Sequence, residues 1–276
     1  MNIEKVLKRI NDFLPPKPAV KFSVVKGEAG LFDSKIGGTP YFPKDMEYPR
    51  GQKNSFEGQP LTLLAQLNFD ELPSVPDFPK KGILQFFIAG DDLYGMSSDY
   101  GEGMTKQENF RVIYHKTVIT DVSKLLAADE IPKYSGDEEC YLPFSGEYKL
   151  IAHAPELIPA TVWDFRFEDA FVRSYNEFAD EPIESIWDLD DDISEKLYDH
   201  TAPDAVIGGY PVFAQDDPRS DESLSDCDVL LFELDSVCGN GMDIMWGDMG
   251  TGSFMISRER LKKLDFSRVL YNYDCG

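Results

Sequence analysis

The sequence is poor in what most recognisable chemistries need. Its 276 residues include four cysteines (Cys140, Cys227, Cys238, Cys275) and three histidines (His115, His153, His200). No two cysteines form a C-x-x-C pair and no histidines take the H-E-x-x-H spacing, so neither a disulfide framework nor a local zinc signature is written into the chain. Reduced thiols in a cytoplasm are the simplest account of four scattered cysteines. No apolar run approaches the ~20 residues that span a bilayer. The opening residues 1–5 (MNIEK) are charged and amphipathic, which is not a signal-peptide core. Positive charge is scarce as well. Against 50 Asp and Glu stand 27 Lys and Arg, a formal charge of −23. Such a chain repels phosphate backbones and anionic lipid surfaces, so no nucleic-acid or membrane partner is expected. What it favours is solubility and fast, salt-sensitive encounter with a basic protein.

The motif record is thin in the same way. There is no G-x-x-x-x-G-K-[ST], and Gly101-x-Gly103 and Gly239-x-Gly241 lack the third glycine of a dinucleotide loop. Asp188-x-Asp190-x-Asp192 begins like a calcium loop, but Ile193 takes the place of the turn glycine and residue twelve is Asp199. No G-x-S-x-G elbow is present. Adjacent carboxylates (Asp91-Asp92, Asp216-Asp217, Glu138-Glu139) are too common in so acidic a chain to select an acid–base couple. No cofactor, metal site or catalytic residue is expected.

What is present is ample material for a core: 42% hydrophobic and 13% aromatic residues. Aromatics suit a pleated, half-buried surface, so sheet is expected. Residues 2–14 put Ile3, Val6, Leu7, Ile10, Phe13 and Leu14 on one helical face before Pro15-Pro16 ends the pattern. Residues 121–128 and 257–264 read as short helices. Two further helices are predicted from Trp163, Phe167, Ala170, Phe171 and Phe178, and from Ile183, Ile186, Trp187, Ile193 and Leu197, with both stripes facing a core.

The chain also resembles itself. Residues 36–42 (IGGTPYF) recur as 207–213 (IGGYPVF), and Pro49-Arg50 is echoed by Pro218-Arg219. Residues 63–68 match 230–235, 82–88 match 250–256, and 111–114 match 268–271. Five blocks in one order point to internal duplication. The predicted organisation is an N-terminal helix with its lead-in (1–30), a first copy (31–128), a connecting segment with two helices (129–203) and a second copy (204–276). The fold class is α+β, one compact unit in which two β-rich copies share a core and the helices lie outside, since each copy alone would bury little surface.

The motifs IGGYPVFAQDDPR (207–219), DVLLFELDS (228–236) and MWGDMGTGSFMI (245–256) are similar to those of the YwqG-like family, and SKIGGTPYFP, LLAQLNFDELP and KGILQFFIAGDDLYG repeat the likeness in the first half. The resemblance covers nearly the whole chain. It implies a compact bacterial α+β protein with no established enzymatic activity, and it brings no catalytic residues.

Repeat-related polar residues inside apolar or turn-like motifs remain as ligand-binding candidates: Arg50, Gln66, Arg219, Glu233, Trp246 and Asp248. They are read first as structural groups that satisfy loops and turns, and otherwise as the lining of a cleft between the copies. Two functions follow: a non-catalytic interaction or regulatory factor, immunity-type roles included, that binds a basic protein; or a small-molecule-binding protein or hydrolase that uses the cleft.

Overall fold

Short apolar runs bounded by glycine and proline become strands, and they assemble into one sheet. The computed structural model describes residues 3–136, 139–198, 202–239 and 241–276, without the side chains of Asp191, Asp192 and Glu195. Glu138, Asp199 and His200 lie outside the described residues. In chain order the elements are α1 (Ile3–Ile10), β1 (Lys17–Lys26), β2 (Lys35–Gly37), β3 (Thr62–Asn68), β4 (Ile83–Ile88), β5 (Phe110–His115), β6 (Glu147–Ala152), β7 (Glu156–Ile158), α2 (Phe167–Asn176), α3 (Asp191–Tyr198), β8 (Ala205–Gly208), β9 (Val229–Asp235), β10 (Val237–Gly239), β11 (Met242–Ile244), β12 (Thr251–Ile256), α4 (Arg258–Lys263) and β13 (Leu270–Asp274). None of the described helices is long and apolar enough to cross a membrane.

The main sheet is antiparallel, in the order β13-β12-β9-β8-β1-β6-β2-β3-β4-β5, with β7 also on β1 and a separate β10–β11 ribbon. At its centre β1 and β6 pair with each other, β1 also with β8 and β6 also with β2. From each of these central strands an antiparallel meander runs outward to one end. Each meander carries an extra residue at the corresponding place, Leu64 in β3 and Leu231 in β9, a bulge that bends the strand and strengthens its twist.

The sheet curls until its halves face each other. Phe86 of β4 stacks on Phe232 of β9 at 5.1 Å and meets Phe254 of β12 at 4.7 Å. Phe110 of β5 meets Tyr271 of β13 at 5.1 Å, so the two sheet ends approach through side chains. One apolar cluster therefore takes residues from both halves, Leu67, Leu84 and Ile88 with Leu231, Leu234 and Ile256. β3, β4, β9 and β12 are buried almost throughout because loops cover their outer faces. A second cluster, with Val6 and Ile10 of α1, Phe167 and Phe171 of α2 and Leu197 of α3, forms the helical layer.

Residues 1–30 also hold the longest strand, β1, and residues 129–203 also hold β6 and β7. Several expectations for single elements are corrected. Residues 121–128 make only a 3-10 turn at Val122–Lys124, with Asp121 capping it by accepting from Ser123 N. Residues 183–197 split into a 3-10 turn at Ile186–Asp188 and α3. The last matched block is two residues out of register. Val112 pairs with Phe86 and Tyr271 with Phe254, so His115 corresponds in place to Asp274, not Asn272. The double glycines behave as turn chemistry requires: Gly37, Gly38, Gly208 and Gly209 all have φ between +65° and +72°, where only glycine is unstrained.

Candidate functional site

Gln66 and Glu233 occupy matching places on the outer faces of the two halves, and their surroundings differ. Gln66 is fully buried with every polar atom used. Its Oε1 accepts from Tyr41 N at 2.9 Å and from Gln85 Nε2 at 2.8 Å, while its Nε2 donates to the Leu31 and Asp33 carbonyls at 3.0 and 2.9 Å. His115 Nε2 joins Gln85 Oε1 at 2.8 Å, and burial lowers its pKa to about 4, which keeps the ring neutral. This row fastens the first half's loop to its sheet.

In the second half Glu233 Oε2 accepts from Val212 N at 3.1 Å, and burial pushes its carboxyl well above the usual carboxylate range. Glu233, Ser253 and Asn272 stand in one cross-strand row, next to Asp274. Val212 stands where the first half has Tyr41 and Ser253 where it has Gln85, both smaller groups. Ser253 Oγ, Asn272 Nδ2 and Asp274 Oδ1 are left buried without a hydrogen-bond partner among the described residues.

Arg219 and Arg50 share a dipeptide and nothing else. Arg50 is exposed and donates to the Gly58 carbonyl at 2.7 Å. Arg219 is 1% exposed and clamps Asp217 with two bonds, Nε to Oδ1 at 2.9 Å and NH2 to Oδ2 at 2.6 Å. The same NH2 reaches Asp164 Oδ2 at 3.2 Å, and Arg166 grips Asp164 from the other side at 2.8 and 2.7 Å. Burial pushes the Asp164 carboxyl up, but the Arg166 hydrogen bond and the charges of Arg219 and Arg166 overcome it and hold the group below its ordinary value. The network ties the connecting segment to the second half. Asp164-Phe165-Arg166 and Asp217-Pro218-Arg219 share a D-x-R spacing, the one sequence signal that could have found it. Nearby, Lys17 has its pKa lowered to about 8 by burial and by the positive charges of Arg166 and Arg219.

Trp246 is fully buried and belongs to the core shared by the halves, edge-on to Tyr94 at 5.5 Å. Asp248 is exposed, and its carbonyl accepts from Gly276 N. The six candidates are thus spread over two outer faces, the core and the surface, and the surface between the halves is apolar. Trp246 explains Gly252: a Cβ there would lie 2.4 Å from the Trp246 ring. Gly252→Ala is expected to cost about 1–3 kcal/mol by overpacking. A thermal melt checks this, and an unchanged melting temperature would refute the close contact.

The connecting segment carries the surface that sequence reasoning misplaced. Between Phe167 and Tyr198 there are eleven acidic residues and two basic ones. Trp187, expected on a core face, is 76% exposed. The 3-10 turn before α3 rotates it outward, fixed by a capping box in which Ser185 Oγ accepts from Trp187 N and Asp188 Oδ2 accepts from Ser185 N. Its ring stacks on Tyr198 at 6.0 Å, and Tyr198 meets Trp163 edge-on at 5.8 Å. Glu184, Asp188 and Asp190, all exposed, adjoin it in sequence. An indole face held in place among carboxylates suits a cation, which gains from the ring quadrupole and from the acids together.

The family described as a domain of unknown function (DUF1963) matches residues 34–275, and the chain belongs to it. A search of curated proteins gives no match.

Proposed function

We propose that this member of the DUF1963 family is a non-catalytic interaction factor that binds a basic protein through the acidic face around Trp187. The observation that carries the reading is the exposed, stacked indole inside a segment where acids outnumber bases eleven to two. Exposed tryptophans that anchor into a partner are the commonest interface hot spots, and arginine and lysine are the side chains such a face selects. The formal charge of −23 speeds the encounter and suppresses acidic competitors. A regulatory role, immunity-type inhibition included, fits a protein whose surface recognises charge.

Within the family we assign the chain to the YwqG-like group of bacteria, on the motifs quoted above. We also read the two meanders as copies of one unit. The matched glycine turns, the matched bulges and the Gln66–Glu233 correspondence support that reading. The four cysteines are free, which fits a reducing cytoplasm.

The test is affinity capture from the host cell at low and at physiological salt, with Trp187→Ala in parallel. A basic protein held by the wild type, weakened by salt and lost roughly 30-fold in affinity in the variant (about 2 kcal/mol) supports the proposal. A partner retained equally by Trp187→Ala, or one indifferent to salt, overturns it.

A further inference from the structure

The helical layer contains a groove separate from the Trp187 ring. It lies between α1 and α3, and its volume is about 370 Å³, within the range of small-molecule sites. Its walls are apolar: Leu7 and Ile10 from α1, Phe167 from α2 and Leu197 from α3. Ile10, Phe167 and Leu197 are buried, whereas Leu7 is 39% exposed. Three polar features break the apolar lining: Asn11 of the segment after α1, a pair of lysines and a buried hydroxyl. Lys8 and Lys196 are exposed and stand at the groove from its two sides. Inside, Thr161 Oγ1 is buried without a hydrogen-bond partner among the described residues.

An unpaired buried hydroxyl has a desolvation cost that a bound polar group or water removes. Two lysines from different helices meet at one apolar cavity in a chain with nearly twice as many acids as bases, and among the described residues neither has an ion-pair partner. Long flexible lysines bury their stems on apolar surface and keep the ammonium at the rim. The net charge of the chain opposes any anion at long range, so the lysines must act at contact distance. The arrangement asks for a molecule with an apolar tail and an anionic head.

We propose that this groove binds a free medium-chain carboxylate, its tail between Leu7, Ile10, Phe167 and Leu197 and its carboxylate between Lys8 and Lys196. A basic protein segment does not fit here, because the charged side chains described at the rim are both lysines. The site is therefore additional to the acidic face around Trp187.

The probe is decanoate, titrated into the full chain by calorimetry, with decanol and decyltrimethylammonium as the neutral and cationic controls. Decanoate should bind at least tenfold more tightly than either control and raise the melting temperature progressively, with the logarithm of its concentration once that exceeds Kd. The double variant K8E/K196E changes two exposed side chains, so its melting temperature without ligand should match the wild type and the preference for decanoate should vanish. Three results would each overturn the proposal: no binding heat with decanoate, equal affinity for the three probes, or unchanged affinity in K8E/K196E. Binding only to decanoate in lipid vesicles would overturn it too, by making the groove a membrane contact.

Discussion

Arg219→Ala is expected to destabilise the protein by about 3–5 kcal/mol, the usual cost of removing one partner from a buried ion pair. The variant leaves Asp217 and Asp164, whose side chains are 2% and 0% exposed, as carboxylates without their shared guanidinium. Arg166 still holds Asp164, so the charge at Asp217 carries most of the penalty. Arg219→Lys should recover only part of the loss, because an ammonium cannot make the two parallel bonds to Asp217. Arg50→Ala, which removes an exposed arginine bonded to one carbonyl, should stay within about 0.5 kcal/mol of wild type. Urea unfolding midpoints for the three variants test this together. Equal midpoints for Arg219→Ala and Arg50→Ala would show that the buried network contributes nothing.

Asp274→Asn is expected to change the pH dependence of stability. Burial raises the Asp274 pKa from 3.8 to about 6 in the folded protein. The folded state therefore holds a proton that the unfolded chain has released between those values. The resulting stability is complete below pH ~4 and is lost as pH rises through 6, about 3 kcal/mol at 1.36 kcal/mol per pKa unit. His115, at the corresponding place in the first half, works in the opposite sense. Its pKa falls from 6.5 to about 4, so its contribution is present above pH ~6.5 and lost toward pH 4. The wild-type profile sums these with other buried groups such as Asp235, also raised to about 6 by burial, and the difference between variant and wild type isolates Asp274. The stability of Asp274→Asn relative to wild type should rise by about 2–3 kcal/mol between pH 4 and pH 7. A difference that stays constant across this range would show that Asp274 ionises normally. Melting curves at four or five pH values decide it.

The fold was legible where local pattern and tertiary role coincide. The runs that became β3, β4, β9 and β12, the glycine turns, the N-terminal helix and the Ser257 cap of α4, which accepts from Arg260 N, were all visible. β1 was not, although Val20, Phe22 and Val24 alternate with polar neighbours, because its pairing partners lie far along the chain and the stretch after Pro15-Pro16 has no counterpart in the matched blocks. The site was less legible. Gln66 and Glu233 were found as polar interruptions in apolar runs, but a sequence cannot tell a saturated amide from an unsatisfied row. Arg50 and Arg219 look alike until Asp164, remote in sequence, is brought to one of them. Trp187 sat at helical spacing with Ile183 and Ile186, and only the break between the 3-10 turn and α3 turns it outward.

The central position of β1 has a consequence for how the chain is made. β2 to β5 and β8, β9, β12 and β13 are meanders of neighbouring strands, whose loops close at modest entropic cost. β1, by contrast, is flanked by residues 147–152 and 205–208. At about 5–20 residues per second of synthesis, roughly 10–40 s separate the appearance of β1 from that of β8. During that interval one edge of an apolar, alternating strand stands open, so β1 is the segment of the nascent chain most in need of shielding from other strands.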